Sequence, residues 1–319
     1  MIVRTAGTRS EARQTGMAKL VASIAVSTGL LGLTYMLMNR NAGESDRLLR
    51  QLGEIQLPWL GAVVLASIAN NLVASCRFHL IVRRAAAMPI TLWKIVKINA
   101  AALFLGFWTP VSVSGDAGRV IWLRKVVPSY LDALLIVLCD RLLALFALVA
   151  CMLPFIPAYL AWIAESTQMP PVSVLMGAVV VALVAFGAAY RYRRAPRMDV
   201  LRLIRALSAR EVTGHVLVGL LYVSTFFLAV CFAAQALGLS SGWQRFLAAA
   251  PILFLAQNVP ITFGGLGSRE FSFLILLGPV IGDTSAVTLS LVVGLGFWLA
   301  SLPGGLALAE LAEDPYARR

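Results

Sequence analysis

The sequence predicts an all-α, polytopic membrane protein with about six full spans and two re-entrant broken helices arranged as an inverted repeat. Three observations carry this prediction. Of the 319 residues, 60% are hydrophobic and only 13% are charged, against about 25% charged in soluble domains. Long apolar runs recur along the chain, and about 20 apolar residues suffice to cross the hydrocarbon core as a helix. A short string containing Pro, Gly and Arg occurs twice, 150 positions apart. The first two observations exclude a soluble globular enzyme. No room remains for an extramembrane domain of ordinary size, so residues 1–319 are expected to form a single integral membrane domain.

The apolar runs, in order, are Leu20–Met38, Leu57–Ser75, Leu92–Trp108, Leu131–Ile156, Val172–Tyr190, His215–Leu237, Phe246–Ile261, Phe271–Ile281 and Thr284–Leu302. The first follows Arg4, Arg9, Arg13 and Lys19. It is longer than a signal-peptide core and lacks a small-residue cleavage pattern, so it is expected to be an uncleaved span. Leu92–Trp108 contains Lys94, Lys97 and Asn99 and ends before Pro110, while Phe246–Ile261 and Phe271–Ile281 are short arms joined through Pro260 and a glycine cluster. These arms are the predicted broken helices.

Positive charge orients the runs. Arg191–Arg210 holds seven arginines and Pro157–Pro171 holds no basic residue, so the former is expected on the cytoplasmic side and the latter outside. Arg119, Arg124 and Lys125 then lie inside. Arg77, Arg83 and Arg84 join them only if Leu92–Trp108 is re-entrant. Both termini are expected in the cytoplasm, with Arg318 and Arg319 at the C-terminal end. The halves, about 19–156 and 172–302, carry the same series with opposite orientation, and residues 191–214 form an Arg-rich cytoplasmic connector. That is the pattern of an inverted-repeat transporter.

The net charge of +12 resides in the connections between spans, where it meets anionic headgroups. No nucleic-acid partner is expected. The cysteines Cys76, Cys139, Cys151 and Cys231 form no Cys-x-x-Cys pair and the only histidines are His79 and His215, so no metal or cofactor is expected and the thiols are taken as buried. Trp59, Trp93, Trp108, Trp122 and Trp162 fall near span ends, as interfacial anchors do.

The duplicated string is L-F-L, four residues, then P-x-[ST]-x-x-G-x-x-x-R. It sets Pro110 on Pro260, Ser112 on Thr262, Gly115 on Gly265 and Arg119 on Arg269. Each proline ends an apolar arm and the glycines permit a tight turn with exposed amides. Ser114 or Asp116 can cap the helix that follows the first loop, and Ser268 the second, with Glu270 in its first turn. A helix N-terminus favours an anion, and arginine offers a fork of donors matched to phosphate. The candidate anion-binding residues are therefore Arg119, Arg269, Gly115, Gly264, Gly265, Gly267 and Ser268. Asp116 and Glu270 are candidate gates that pair with the arginines until a phosphate competes, or else members of structural salt bridges. Asp140 and Arg141 lie near the middle of an apolar run, where an isolated charge costs about 2.5–3.5 kcal/mol on insertion scales, so they either line the cavity or brace it.

Pro110-Val-Ser-Val-Ser-Gly115-Asp116-Ala-Gly-Arg119, Asp140-Arg141-Leu142 and Gly264-Gly265-Leu266-Gly267-Ser268-Arg269-Glu270 resemble the flippase-like transmembrane region of the lysylphosphatidylglycerol synthase family. The resemblance extends roughly from Ala62 to Pro303. It implies a helical inner-membrane protein that moves lipids or lipid-linked sugars between leaflets. Gly115-Asp116 stands where the family often has Gly-Glu. No soluble synthase domain is expected after Pro303, so aminoacyl transfer is not implied.

The expected function is translocation of an anionic phospholipid or a polyprenyl-phosphate-linked sugar across a bacterial-type inner membrane. The alternatives are a non-transporting subunit that supports envelope biosynthesis enzymes and, with less support, an intramembrane transferase. No catalytic constellation is present to favour the last, and the oligomeric state is not legible.

Overall fold

A computed structural model describes residues 24–37, 44–85, 89–109, 114–158, 209–239, 243–257 and 262–313, which form helices and turns with no strand among them. The helices are α1 (Ile24–Leu37), α2 (Glu44–Gly53), α3 (Leu57–Ala85), α4 (Leu92–Trp108), α5 (Ser114–Leu123) and α6 (Tyr130–Met152). They continue as α7 (Ala209–Ala236), α8 (Trp243–Gln257), α9 (Ser268–Ile281), α10 (Asp283–Ser301) and α11 (Pro303–Glu313). The expected span Val172–Tyr190, the anchor Trp162, the connector up to residue 208, Pro110 and Pro260 lie outside the described residues.

Four described helical stretches are long and apolar enough to cross a membrane: Leu57–Arg84, Tyr130–Ala158, Thr213–Ala236 and Asp283–Glu313. The protein is an all-helical, multi-pass membrane protein. The two largest departures from the expected boundaries are at the ends of the second and last runs. The helix beginning at Leu57 continues ten residues past Ser75 to Ala85, because Phe78, Leu80, Ile81 and Val82 maintain an apolar face beyond Arg77. The last crossing passes Leu302, since Pro303 occupies the first position of α11, where a missing N–H costs no intrahelical bond.

Local chemistry sets the starts of the shorter helices. Thr91 caps α4 by accepting from the Lys94 amide, and Ser129 caps α6 by accepting from the Asp132 amide at 3.1 Å. Side-chain oxygens at these positions satisfy amides that have no helical partner.

α3 and α7 form the central pair and run antiparallel. The Gln56 amide donates to the Ala236 carbonyl at 3.1 Å, and Trp59 stacks on Phe232. Asn70 Nδ2 donates to the Tyr222 carbonyl at 2.7 Å, and Arg84 pairs with Glu211 at the far end. Around this pair the chain makes two helical hairpins of opposite approach. Lys97 near the start of α4 pairs with Glu310, and Lys125 just beyond α5 donates to the Leu311 carbonyl at 3.4 Å. α4 and α5 thus leave from and return to one end, where Arg83, Arg84, Arg124 and Arg210 also lie. At the opposite end Gln51 of α2 bonds Ser285 and Thr288 of α10, beside the close of α9 at Ile281. The two tips touch: a Cβ built on Gly264 would stand 3.4 Å from the Phe107 ring.

Trp122 departs from its expected role. It is buried in the core packed between α3, α4, α5 and α6, because its ring fills the space left by Gly118. Trp59, Trp93 and Trp108 keep exposed rings. Cys76, expected to be buried, is exposed on α3, on the side away from Arg77 and Phe78.

Candidate functional site

The first ionic cluster lies between α3, α5, α6 and α7. Asp140, 1% exposed, accepts two hydrogen bonds from Arg77, from Nε at 2.9 Å and from Nη2 at 3.0 Å. Two parallel N–H···O bonds are the geometry that best compensates a buried carboxylate. The Arg77 guanidinium also lies over the Tyr222 ring, 4.7 Å from its centroid. The next residue, Arg141, donates to both oxygens of Asp116, at 3.2 and 2.9 Å. Arg119 Nη1 donates to the same carboxylate at 3.3 Å and sits over the Phe78 ring. Adjacent residues on a helix point about 100° apart, so Asp140 and Arg141 engage different partners.

Exposure rises from one side of the cluster to the other. The side chains of Asp140 and Arg77 are 1% and 4% exposed, those of Arg119, Asp116 and Arg141 are 13%, 26% and 43%. Three arginines face two carboxylates, which leaves one positive charge in excess. Arg77 Nη1 and Arg119 Nε are buried donors with no partner among the described residues, and buried donors are ordinarily satisfied.

Arg77 was not among the residues the sequence singled out. The apolar run that ends at Ser75 sets it with Arg83 and Arg84 as a charge beyond the span. The apolar spacing of Phe78, Ile81 and Val82 was the available signal that the helix, and with it Arg77, continues at depth.

The second cluster is more deeply buried and has one arginine to one carboxylate, with Arg269 Nη1 as a further buried donor that has no partner among the described residues. Gly264, Gly265 and Gly267 have φ of +55°, +80° and +88°, a left-handed region where a side chain is strained, and they turn the chain into α9. Gly267 is the cap of that helix and Ser268 its first residue, so the expected capping by Ser268 is not what the turn adopts. Ser268 Oγ instead donates to the Gly265 carbonyl at 3.1 Å. The Gly267 amide donates to Glu270 at 2.6 Å, and Glu270 also accepts from Arg269 at 2.7 and 3.1 Å and from Ser290 at 3.2 Å. The helix N-terminus expected to receive an external anion is occupied by the protein's own carboxylate. Arg269 and Glu270 are 2% and 1% exposed. α1 lies over the turn, where a Cβ on Gly267 would stand 2.8 Å from the Ser27 carbonyl.

No hydrogen bond or ion pair joins the two clusters among the described residues. Gly115, expected among the anion-binding residues, packs α5 onto α4, since a Cβ there would lie 2.5 Å from the Ala102 carbonyl oxygen. Gly115→Ala is expected to cost about 1–3 kcal/mol through overpacking, read as a lower denaturation midpoint in mixed detergent. An unchanged midpoint would show that the hairpin can open at no cost. Ser114 bonds back to the Leu105 carbonyl at 2.9 Å rather than outward.

A comparison with curated proteins returned no match. The family model described as "Lysylphosphatidylglycerol synthase TM region" matches residues 20–304, a stretch that contains both hairpins, both clusters and the central α3–α7 pair. The chain belongs to the lysylphosphatidylglycerol synthase transmembrane-region family.

Proposed function

We propose that the protein translocates an anionic lipid, a phospholipid or a polyprenyl-phosphate-linked sugar, between the leaflets of a bacterial-type inner membrane. Its phosphate is received at the cluster of Arg77, Arg119 and Arg141. The observation that carries this reading is a partly open cluster, enclosed by apolar helices, with one cation more than its carboxylates and two buried guanidinium donors lacking partners among the described residues. A phosphodiester supplies the missing charge and acceptors. Asp116, the more exposed of the two acids, is the partner it displaces, while Asp140 stays held by Arg77.

The inverted repeat is supported by the pairings. Exchanging α3 with α7, α4 with α8, α5 with α9 and α6 with α10 turns one set of neighbours into another: α3 packs on α4 as α7 on α8, α4 on α5 as α8 on α9, and α6 on α7 as α10 on α3. The antiparallel α3–α7 pair suits a two-fold axis in the membrane plane. The end that gathers Arg83, Arg84, Arg124 and Arg210 is then cytoplasmic.

The test is leaflet-resolved movement of fluorescent anionic phospholipid and polyprenyl-phosphate analogues in proteoliposomes matched for folded protein. Loss of a charge-assisted hydrogen bond is worth about 1.5–3 kcal/mol, so Arg119→Gln is expected to slow movement roughly tenfold to a hundredfold. Arg119→Lys is expected to restore part of the rate, since it keeps the charge and loses the fork. Wild-type rates in Arg119→Gln and Arg141→Gln would overturn the assignment of this cluster.

A further inference from the structure

At the basic end, where the last turns of α3 meet the first turns of α7, the structure holds a cleft of about 460 Å³. Its walls include Arg83, Arg84, Arg210, Glu211, Gly214 and His215. The single acid is engaged, because Arg84 donates to both of its carboxylate oxygens across the α3–α7 gap. Arg83 and Arg210 have no ion-pair partner among the described residues, so the cleft presents two uncompensated guanidinium groups. Beside Gly214 the space is open, with no atom within 4 Å of a built Cβ.

His215 supplies a second, independent observation. It is 3% exposed, and its Nδ1 lies 3.1 Å from the Glu211 carbonyl. Since a carbonyl only accepts, Nδ1 carries the hydrogen, and Nε2 of the neutral ring is left as an acceptor. That nitrogen is buried and has no partner among the described residues. A phosphate answers the arginines, but only a group with its own O–H answers Nε2.

We infer that this cleft binds a phosphate-bearing headgroup that also carries a hydroxyl, such as a phosphoglycerol or a phosphosugar. It is a site separate from the Arg77, Arg119 and Arg141 cluster. His215 stands two turns before Tyr222 on α7, and the Tyr222 ring lies under Arg77, so the cleft is about 10 Å along the helix from that cluster. A headgroup resting here stands at the cytoplasmic threshold of the deeper site. Occupancy requires no transport, and a chain that moves no lipid would still bind there.

The test places a photo-crosslinking amino acid at Leu80, which lines the cleft, in full-length protein held in zwitterionic nanodiscs. Phosphatidylglycerol is doped in, or phosphatidylethanol, a phosphodiester without the hydroxyl, and adducts are counted by mass spectrometry. Capture of phosphatidylglycerol is expected to exceed that of phosphatidylethanol about fivefold, the worth of one hydrogen bond. The Arg83→Gln/Arg210→Gln double variant is expected to lower capture of both about tenfold. Gly214→Leu is expected to block capture without lowering the melting temperature, since the space is open and leucine favours a helix over glycine. Arg119→Gln is expected to retain capture even where it abolishes movement, which separates this site from the transport reading. Excess soluble glycerol phosphate distinguishes the ligand's source: competition shows that the headgroup suffices, and its failure shows that the acyl chains are needed, and both support the site. Equal capture of the two lipids, or wild-type capture in the arginine and Gly214 variants, would overturn it.

Discussion

Asp140→Asn is expected to destabilise the protein by about 3–5 kcal/mol, the usual cost of removing one partner from a buried ion pair. The change leaves Arg77 charged, 4% exposed and without its bidentate acceptor. Arg77→Met is expected to cost a similar amount, because Asp140 then loses both of its bonds and the Tyr222 ring loses the cation above it. The double variant Arg77→Met/Asp140→Leu is expected to recover most of the loss, since an apolar pair of similar volume often replaces a buried salt bridge at little cost. Equilibrium unfolding in mixed SDS micelles measures all three. The double variant also separates stability from function. It should fold well and transport poorly, because the Arg77 Nη1 donor offered to a phosphate is gone. Additive losses in the double variant would show that the two residues do not act as a pair.

Gly294→Ala is the second large effect. The Arg269 guanidinium lies directly on Gly294, so that a side chain there would overlap its carbon and both terminal nitrogens. The methyl group must push the guanidinium off Glu270, whose carboxylate holds the Gly267 amide that starts α9. A cost of about 3 kcal/mol or more is expected from exposing one member of a buried pair. Arg269→Gln should cost about as much, and the two together no more than either alone, since both break one network. The contrast with Arg119 is in the rate. Arg269→Gln is expected to lower the yield of folded protein and leave the rate of lipid movement per folded molecule near wild type. A selective loss of rate with intact stability would make Arg269 a ligand-binding residue after all.

The two duplicated strings therefore differ in what they build, and particular residues show why this was not legible beforehand. The shared Pro, Gly and Arg positions predicted two hairpin tips, and Phe107 does meet Gly264. The difference lies in the acids. In the first hairpin Asp116 precedes its arginine by three residues and stays partly exposed, whereas in the second Glu270 follows its arginine directly and reaches back to the Gly267 amide. Asp140 corresponds to Ser290 at the same 150-residue spacing, so the first cluster has a second carboxylate and the second has a hydroxyl. The residues are visible in the sequence, but which carboxylate closes a helix N-terminus depends on backbone geometry.

By itself the sequence determined the solvent and the secondary structure. Low charge and long apolar runs can only be accommodated as membrane helices, because unpaired backbone groups are too costly in lipid for any other spanning form except a closed barrel. It also determined where the chain breaks, through prolines and glycines whose effects are local. The tertiary structure alone decided which charges meet. Arg77 and Asp140 lie 63 positions apart, and nothing in the periodicity of either helix names the other as its partner. Their pairing follows from the antiparallel packing of α3 with α7 and the approach of α6 to both, and it separates a half-open basic cluster from a sealed brace.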